Sequence, residues 1–521
     1  MHRILAFLLV GALIAVACSN TGVDDLIAAE PRPATSTPAP EVTEPAPDTS
    51  QPPADTTEPP TATTEPLLPP TTTTGEALED DNQFSGPPGL DGIGDEYFPL
   101  AGNSGYDVTH YNINIDVEPE SNRIDAFVDV ELTLREDLGS INLDLRGFEI
   151  RGVQVDGELV EHRREGQELT VDFGRTIAAE TETVVRVSYE GVPAPIPEST
   201  IGSIGWIDGQ NGSHVVAEPN GAPTWFPAND HPLDKATFSF VISVPDNYQV
   251  AANGILEGTR PTGAGTEYTW VASDPMAPYL ATVAVGEFEF IEERGPGGIP
   301  IRNVFPPELV GVATQDFGRT AQMIETFSEL FGPYPFEAYG SLVIDDSFGF
   351  ALETQTLSIY SELLIDGSRN REWVFAHELA HQWFGNSVSV GRWQDIWLNE
   401  GFATYSEALW FEFADGTDTN ARMRDLAARS ASLPAPGDPG PNNLFGREVY
   451  NRGALTLHAM RLTLDNDDIF FDILRAWAQE NAYSAATTED FIEVSERVAG
   501  RDLRDLIENF LFNDTLPALP E

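Results

Sequence analysis

Cysteine is nearly absent from this chain, because Cys18 is the only thiol among its 521 residues. A single cysteine cannot pair with another in the same chain, so internal disulfide bonds are excluded as a source of stability. Basic residues are scarce as well: 28 Lys and Arg stand against 84 Asp and Glu, giving a formal net charge of −56. A surface this acidic repels nucleic acids and anionic lipids, and we therefore expect neither as a binding partner.

Long hydrophobic runs are also missing, with one exception at the N-terminus. His2 and Arg3 precede an apolar stretch over residues 4–17, which is too short for a stable membrane-spanning helix and has the form of a signal peptide. Cys18 follows at once, in a pattern that resembles a bacterial lipobox, in which the cysteine becomes lipidated. We expect residues 1–17 to be a signal peptide and Cys18 to anchor the exported protein to the membrane at the cell surface. A secreted protein with one free thiol is the alternative.

Residues 18–95 are expected to follow this anchor as a disordered tether. Up to about residue 88 the chain consists largely of Pro, Thr, Ala and acidic residues. Such a composition cannot bury enough apolar surface to offset the entropy that ordering would cost.

Residues 96–295 show the alternation of apolar and polar side chains that is typical of half-buried strands. The run from Thr237 to Val244 is one clear case, and turn residues separate it from similar runs between Tyr106 and Phe290. A period of two with intervening turns predicts a mainly antiparallel, β-sandwich-like domain.

Residues 296–521 change to a mainly helical pattern, so the chain as a whole is predicted to be an α+β multidomain protein. Two short strands are expected at residues 342–345 and 352–360. Helices are predicted over residues 313–331, around the segment that includes His377, and over residues 399–413, 419–431, 447–465, 467–480, 488–498 and 502–512.

The most informative segment is an HExxH motif formed by His377, Glu378 and His381, with eighteen residues between His381 and Glu400. Side chains four positions apart lie on nearly the same face of a helix, so the two imidazoles can bind one metal ion. Glu400 supplies a third ligand, and Glu378 is placed to reach a water molecule on that ion. The motif therefore predicts a catalytic site with one zinc ion, in which Glu378 acts as the acid and base.

A polar helix face without metal is the plain alternative for these residues. The flanking positions oppose it, because residues 373–384 are apolar on almost every side of the helix, which predicts burial. Buried charge is costly unless it is paired or bound to metal. We also expect Asn399 to cap the helix that carries Glu400, and Glu407 to orient one of the histidines.

Four segments together resemble the aminopeptidase N family of zinc metallopeptidases. One is the HExxH motif with Glu400 in residues 393–403. The others are residues 225–238, residues 350–354 (Phe-Ala-Leu-Glu-Thr, where the family carries Gly-Ala-Met-Glu-Asn) and residues 450–454 (Tyr-Asn-Arg-Gly-Ala, where it carries Tyr-Glu-Lys-Gly-Ala). They occur in the family's order, and the resemblance covers roughly residues 100–515.

The resemblance implies a thermolysin-like catalytic domain and a zinc-dependent aminopeptidase that acts on peptides with a free N-terminus. Glu353 matches the family's glutamate that binds the α-amine of the substrate, and Glu218 matches a second acidic contact to that amine. Ala351 lies in the substrate-binding segment. Tyr450 matches the tyrosine whose hydroxyl donates to the developing oxyanion.

Two departures from the family pattern bear on substrate binding. Val216 stands where the family often has a glutamine, and residues 350–354 differ at three of five positions, so the amine contacts and the first pocket are expected to differ. The sequence also ends at Glu521 without the long helical domain of larger members, from which a more open site is expected.

Other functions remain open at this point. A related zinc hydrolase or an endopeptidase could use the same site, and these would cleave acetylated and free peptides equally. A catalytically inert surface-binding lipoprotein could retain the fold, although decayed sites usually lose at least one of the residues found here.

Overall fold

The structure is a computed structural model, and it describes residues 87–198, 202–346 and 349–521. Cys18, the signal peptide and most of the tether lie outside the described residues, so their assignments remain predictions. The boundaries expected near residues 95 and 295 also remain predictions. Within the described ranges, no helix is both long and apolar enough to cross a membrane.

The strands of the described residues fall mostly in the first half of the chain. In chain order they are β1 (Leu90–Asp91), β2 (Asn103–Ser104), β3 (Tyr106–Glu118), β4 (Arg123–Leu134), β5 (Leu138–Asp144), β6 (Glu149–Val155), β7 (Glu158–Val160), β8 (His162–Glu165), β9 (Glu168–Ile177), β10 (Glu182–Gly191), β11 (Ile196–Glu198), β12 (Gly202–Asp208), β13 (Gly212–Val216), β14 (Ala236–Val244), β15 (Gln249–Ala252), β16 (Ile255–Pro261), β17 (Thr266–Met276), β18 (Val283–Gly286), β19 (Glu289–Arg294), β20 (Pro300–Phe305), β21 (Ser341–Ile344), β22 (Ala351–Leu352), β23 (Ser358–Ser361), β24 (Val388–Val390) and β25 (Ser484–Ala486).

The helices follow in the second half. They are α1 (Val310–Asp316), α2 (Thr320–Phe331), α3 (Glu372–Ala380), α4 (Trp397–Asp415), α5 (Thr419–Arg429), α6 (Arg447–Leu464), α7 (Asp467–Glu480), α8 (Thr488–Ala499) and α9 (Arg504–Phe512). This order confirms the predicted succession of a β-rich part and a mainly helical part.

The β-rich part is built on an eight-stranded sheet in the order β16-β17-β14-β3-β4-β10-β6-β7. Its strands pair antiparallel except for β3 and β14, which are parallel. Ile113 and Ile115 on β3 are almost fully buried while Asn112 and Asn114 are not, which is the alternation that the sequence predicted. Two further sheets, β5-β9-β8 and β11-β12-β13-β18-β15, belong to the same part.

The helical part begins with a five-stranded sheet in the order β19-β20-β21-β23-β22. Most of the helices come after the strands of this sheet in the chain. The helical structure predicted over residues 313–331 is confirmed, and a break at residues 317–319 divides it into α1 and α2. Buried Asp316 ends α1, and its carboxylate accepts hydrogen bonds from the backbone amides of Asp366, Gly367 and Arg369. These three hydrogen bonds hold Asp316 at the point where α1 ends.

The single strand predicted over residues 352–360 is wrong, because the chain forms two strands, β22 and β23, in this region. Residues 353–357 leave the sheet between β22 and β23 and form a turn in which the Leu357 amide donates to the Thr354 carbonyl. The Glu353 carbonyl instead accepts from Gln382 Nε2 at 3.0 Å and from Asn386 Nδ2 at 2.7 Å. The turn thus fixes Glu353 against the loop that follows the HExxH motif.

The predicted cap at Asn399 is a further error. Helix α4 starts two residues earlier, at Trp397, and the backbone amides of Asn399 and Glu400 already donate to the Ile396 carbonyl. Asn399 therefore lies inside the first turn, and Glu400 remains in that turn, where the helix dipole favours a carboxylate.

The β-rich part also holds the loop after the HExxH motif. The buried ammonium group of Lys235 donates to the carbonyls of Asn386 and Ser387, at 2.7 and 2.9 Å. Since Asn386 in turn donates to the Glu353 carbonyl, these contacts connect the β-rich part to the helical part close to Glu353.

Candidate metal centre and substrate pocket

Helix α3 carries His377 and Glu378, and His381 follows directly after its last residue. Every residue of α3 is buried, as the apolar flanks predicted. The two imidazole rings lie 4.7 Å apart between centroids and are nearly perpendicular, at 74°. Helix α4 brings Glu400 to the same point from the opposite side.

Three atoms from these residues have the spacing that a zinc ion requires. Glu400 Oε2 lies 3.2 Å from His377 Nε2 and 3.5 Å from His381 Nε2. Tetrahedral zinc with bonds near 2.0–2.2 Å separates its ligand atoms by about 3.3 Å. The residues present therefore fit one zinc ion with three protein ligands and an open fourth position, which is the arrangement of catalytic zinc sites.

The other ring nitrogens have partners that orient the histidines. His377 Nδ1 lies 3.0 Å from Glu407 Oε1, and His381 Nδ1 donates to the Phe384 carbonyl, also at 3.0 Å. A carbonyl can only accept, so the Nδ1 atom of His381 carries a proton and Nε2 is left for the metal. The sequence-based expectation for Glu407 is thus matched by its contact.

The electrostatics of the ligand set also favour a cation. Burial works against a charged His377, but the carboxylates of Glu400 and Glu407 outweigh it and raise the pKa of His377 well above its usual range. Burial would likewise raise the pKa of Glu400, yet the two histidines lower it to about 2. The buried carboxylates thus bind positive charge at the place where a metal ion would supply it.

Glu378 lies beside the triad of His377, His381 and Glu400. One of its carboxylate oxygens is within 4.8 Å of ligand atoms of both His381 and Glu353. Burial is the main reason why the pKa of Glu378 is raised to about 8. A carboxylate with a raised pKa can both accept and release a proton near neutral pH.

Tyr450 reaches the site from α6, and its ring stacks on that of His377 with centroids 5.9 Å apart and an interplanar angle of 22°. Burial raises the pKa of the Tyr450 hydroxyl well above its usual range, so the group stays protonated and can donate. Among the described residues, the hydroxyl has no hydrogen-bond partner.

Glu353 and Glu218 form an acidic end of the same pocket. Both residues are 2% exposed, and within the described ranges the Oε1 atom of each has no hydrogen-bond partner. One oxygen of each lies within 4.8 Å of an oxygen of Glu400. Burial, and next the charge of Glu353, raise the pKa of Glu218 well above its usual range. The charge and the unpartnered oxygens of this pair suit a cationic ligand.

One cleft joins these groups. It brings together all eight residues that the sequence placed in the active site: His377, His381, Glu400, Glu378, Tyr450, Glu353, Glu218 and Ala351. Val216, at the family's glutamine position, is buried in β13 and does not line the cleft. Cys18 lies outside the described residues.

The apolar wall of the cleft was foreseen only at Phe350 and Leu352, which lie in the segment 350–354 where a different first pocket was expected. It consists of Phe350, Leu352, Leu364, Trp373, Val374 and Phe445. Trp373 and Val374 lie four positions before His377 and Glu378, so helical spacing could have identified them. Leu364 and Phe445 come from connecting segments far away in sequence, and no local pattern indicates their place.

Comparison with known proteins extends these observations. Residues 108–280 match the Peptidase M1 N-terminal domain, and residues 316–510 match the Peptidase family M1 domain. The solved M1 zinc metallopeptidase from Deinococcus radiodurans is 32% identical with a TM-score of 0.77, and the match covers 82% of this chain and 99% of that one. A mutant of that enzyme was solved with a Tyr-Ser-Ala substrate bound, at 31% identity and the same TM-score and coverage.

Curated relatives carry aminopeptidase names. Aminopeptidase M1 of Arabidopsis thaliana is 28% identical over 375 residues, which is 66% of this chain and 42% of the relative. Glutamyl aminopeptidase of Bitis rhinoceros is 26% identical over 451 residues, 79% of this chain and 46% of the relative. The chain spans about half the length of the curated relatives it matches.

Proposed function

This chain belongs to peptidase family M1, and on that premise we propose that it is a zinc-dependent aminopeptidase that removes single residues from the N-terminus of peptides. One observation carries the proposal: a metal-binding triad and two buried carboxylates with unpartnered oxygens line the same cleft. The triad suits hydrolysis, and the carboxylate pair suits a free ammonium group.

We propose that His377, His381 and Glu400 hold a single zinc ion. When bound, that ion polarises the scissile carbonyl and makes a water molecule acidic enough to attack near neutral pH.

Glu378 carries the proton in this scheme. It accepts a proton from the attacking water and delivers it to the nitrogen of the leaving peptide, a role that its raised pKa suits. Positioned proton transfer of this kind contributes roughly 10²–10⁴-fold to a rate. The Tyr450 hydroxyl donates to the carbonyl oxygen as negative charge develops there, and one such donor typically supplies about 2.7–4 kcal/mol.

Glu353 and Glu218 set the length of the product. Their oxygens bind the α-ammonium group of the substrate, while Gln382 and Asn386 hold the Glu353 backbone in place. Because the ammonium site and the metal site lie in one small cleft, only the bond after the first residue reaches the metal. The relative solved with Tyr-Ser-Ala supports this assignment, since that protein is shown with a peptide substrate.

The test compares two peptides that differ only at the N-terminus, one free and one acetylated, with purified protein before and after zinc removal. The proposal predicts cleavage of the free peptide by one residue, loss of activity on chelation and recovery with one zinc ion per chain. Equal cleavage of both peptides would instead favour an endopeptidase. Zinc binding without cleavage of either would remove the peptidase assignment.

We also propose that the protein is exported and held at the cell surface by lipid on Cys18. The apolar stretch before Cys18 and the lipobox-like pattern support this. Expression of the full chain in a bacterial host with labelled fatty acid tests it, with Cys18→Ser as the control. Label in the wild type alone is expected, and equal labelling of both proteins would contradict the anchor.

A further inference from the structure

Helices α4 and α6 cross at two glycines directly beside the metal centre. Gly401 follows Glu400 on α4, and Gly453 lies three residues, about one helical turn, after Tyr450 on α6. A metal ligand and the hydroxyl donor are therefore each within one turn of the same contact.

The contact is made by backbone atoms. A Cβ placed on Gly453 would lie 2.7 Å from the Cα of Gly401, and a Cβ placed on Gly401 would lie 2.7 Å from the Cα of Gly453 and 2.8 Å from its carbonyl carbon. Ordinary Cβ atoms essentially never come within 3.0 Å of a non-bonded atom from another part of the chain. Backbone atoms cannot rotate aside as a side chain can, so any larger residue must move one helix away from the other.

Glycine in a helix interior has an energetic cost, which makes its presence here informative. It destabilises a helix by roughly 0.5–1 kcal/mol relative to alanine. In the described α-helices the third glycine is Gly311, the second residue of α1, which is exposed and would have no atom within 4 Å of an added Cβ. Gly311 is therefore a control position at which alanine fits without displacement.

The Tyr450 hydroxyl depends on this crossing for its position. Within the described part of the chain the hydroxyl has no hydrogen-bond partner, and the ring is held by stacking on His377 and by packing against the core. Glu400, in contrast, is held between two imidazoles. The separation between the hydroxyl and the metal ligands is thus set mainly by how closely α6 approaches α4.

We propose that the Gly401–Gly453 contact is a positioning device that holds the Tyr450 hydroxyl at the correct distance from Glu400 and the substrate carbonyl. Neither glycine touches the substrate; they act through Tyr450. The inference rests on the proposed function for its kinetic consequence, although its geometric consequence can be measured without any activity.

The first experiment is a crystal structure of Gly453→Ala, with Gly311→Ala as the matched control. We expect the distance from the Tyr450 hydroxyl to Glu400 to grow by about 1 Å in Gly453→Ala and to stay unchanged in the control. An unchanged distance in Gly453→Ala would overturn the proposal even if the protein proved to have no peptidase activity, so the two failures are distinguishable.

The second experiment measures kinetics in a double-mutant cycle with Tyr450→Phe. Gly453→Ala alone is expected to lower kcat roughly 10- to 100-fold, the size of effect that a misplacement near 1 Å produces. KM and zinc content should stay near wild type. In the Tyr450→Phe background the same glycine substitution should change kcat less than about twofold, because the hydroxyl on which it acts is gone.

A purely structural role for the glycines predicts a different outcome of the cycle. The losses from Gly453→Ala and Tyr450→Phe would then multiply, and the proposal would be overturned. Gly401→Ala places the methyl group on the other helix and serves as the second variant if Gly453→Ala does not fold. Failure of both variants to give folded protein would show that the contact serves stability rather than the position of Tyr450, which also overturns it.

Discussion

The two ends of the cleft differ in whether their polar side-chain atoms already have partners within the protein. At the metal end both histidines have partners for Nδ1, and Glu400 lies between the two Nε2 atoms. At the amine end Glu353 is 3.9 Å from His381 Nδ1, which already donates to Phe384, and its Oε1 atom has no hydrogen bond within the described ranges. The groups of the metal end are therefore already held by protein contacts, whereas the proposed amine end keeps a buried carboxylate oxygen that has no partner among the described residues.

The largest effect is expected from Glu378→Gln, because Glu378 serves the chemistry between the two ends and belongs to neither. Loss of its proton transfer should lower kcat by roughly 10²–10⁴-fold. Zinc content should be unchanged, since Glu378 is not one of the three ligands. Exposed Glu493 on α8 provides the control as Glu493→Gln, which should retain full activity. Hydrolysis of aminoacyl-anilides by Glu378→Gln at the wild-type rate would disprove the role.

Glu353→Gln breaks the amine end while leaving the metal end intact. The substitution removes a charged hydrogen bond to the ammonium group, worth about 1.5–3 kcal/mol, so kcat/KM for free peptides should fall roughly 10- to 150-fold. Any activity on acetylated peptides should change little. The ratio of the two substrates is the measurement, and an equal loss on both would show that Glu353 does not recognise the amine.

Glu407→Gln is expected to weaken metal binding, because it alters the carboxylate that contacts His377 Nδ1. Groups that orient a metal-bound histidine typically contribute 10- to 100-fold to metal affinity, and a loss of about that size is expected in a chelator competition. Saturating zinc should restore most of the activity, since the chemical groups remain. Unchanged zinc affinity would mean that the His377–Glu407 contact is incidental.

Glu218→Gln should have the smallest effect of the four. Burial and the charge of Glu353 raise the pKa of Glu218, which favours its neutral form. The neutral carboxyl is a weaker acceptor for the ammonium group than the Glu353 carboxylate, and we take its contribution as about 0.5–1.5 kcal/mol, so kcat/KM for free peptides should fall only about 2- to 12-fold. A loss larger than that of Glu353→Gln would reverse the assignment of the principal amine contact.

Much of the helical part could be predicted because its helices carry their own boundary signals. Asn466 caps α7 with its side chain, and Thr487 caps α8 in a reciprocal pair with Asp490, so the observed starts agree with the predicted ones within a residue. The ligand set was equally readable, since the helical spacing of His377 and His381 is local and the Glu400 spacing matches a family pattern.

The failures have a common cause in contacts between distant residues. Residues 352–360 were predicted as one strand, but Gln382 and Asn386, about thirty residues away, donate to the Glu353 carbonyl where the chain leaves the sheet. Asp316 is the last residue of α1, and its carboxylate accepts hydrogen bonds from backbone amides of the distant turn at residues 366–369. A local pattern cannot show such partners, and the apolar wall formed by Leu364 and Phe445 escaped prediction for the same reason.

The central claim is that two imidazoles and one distant carboxylate bind a single catalytic zinc ion. Anomalous diffraction at the zinc edge, from crystals of the purified protein, tests it most directly. We expect one strong peak about 2.0–2.2 Å from His377 Nε2, His381 Nε2 and a Glu400 oxygen. A peak elsewhere, or none between these residues in zinc-saturated protein, would contradict it.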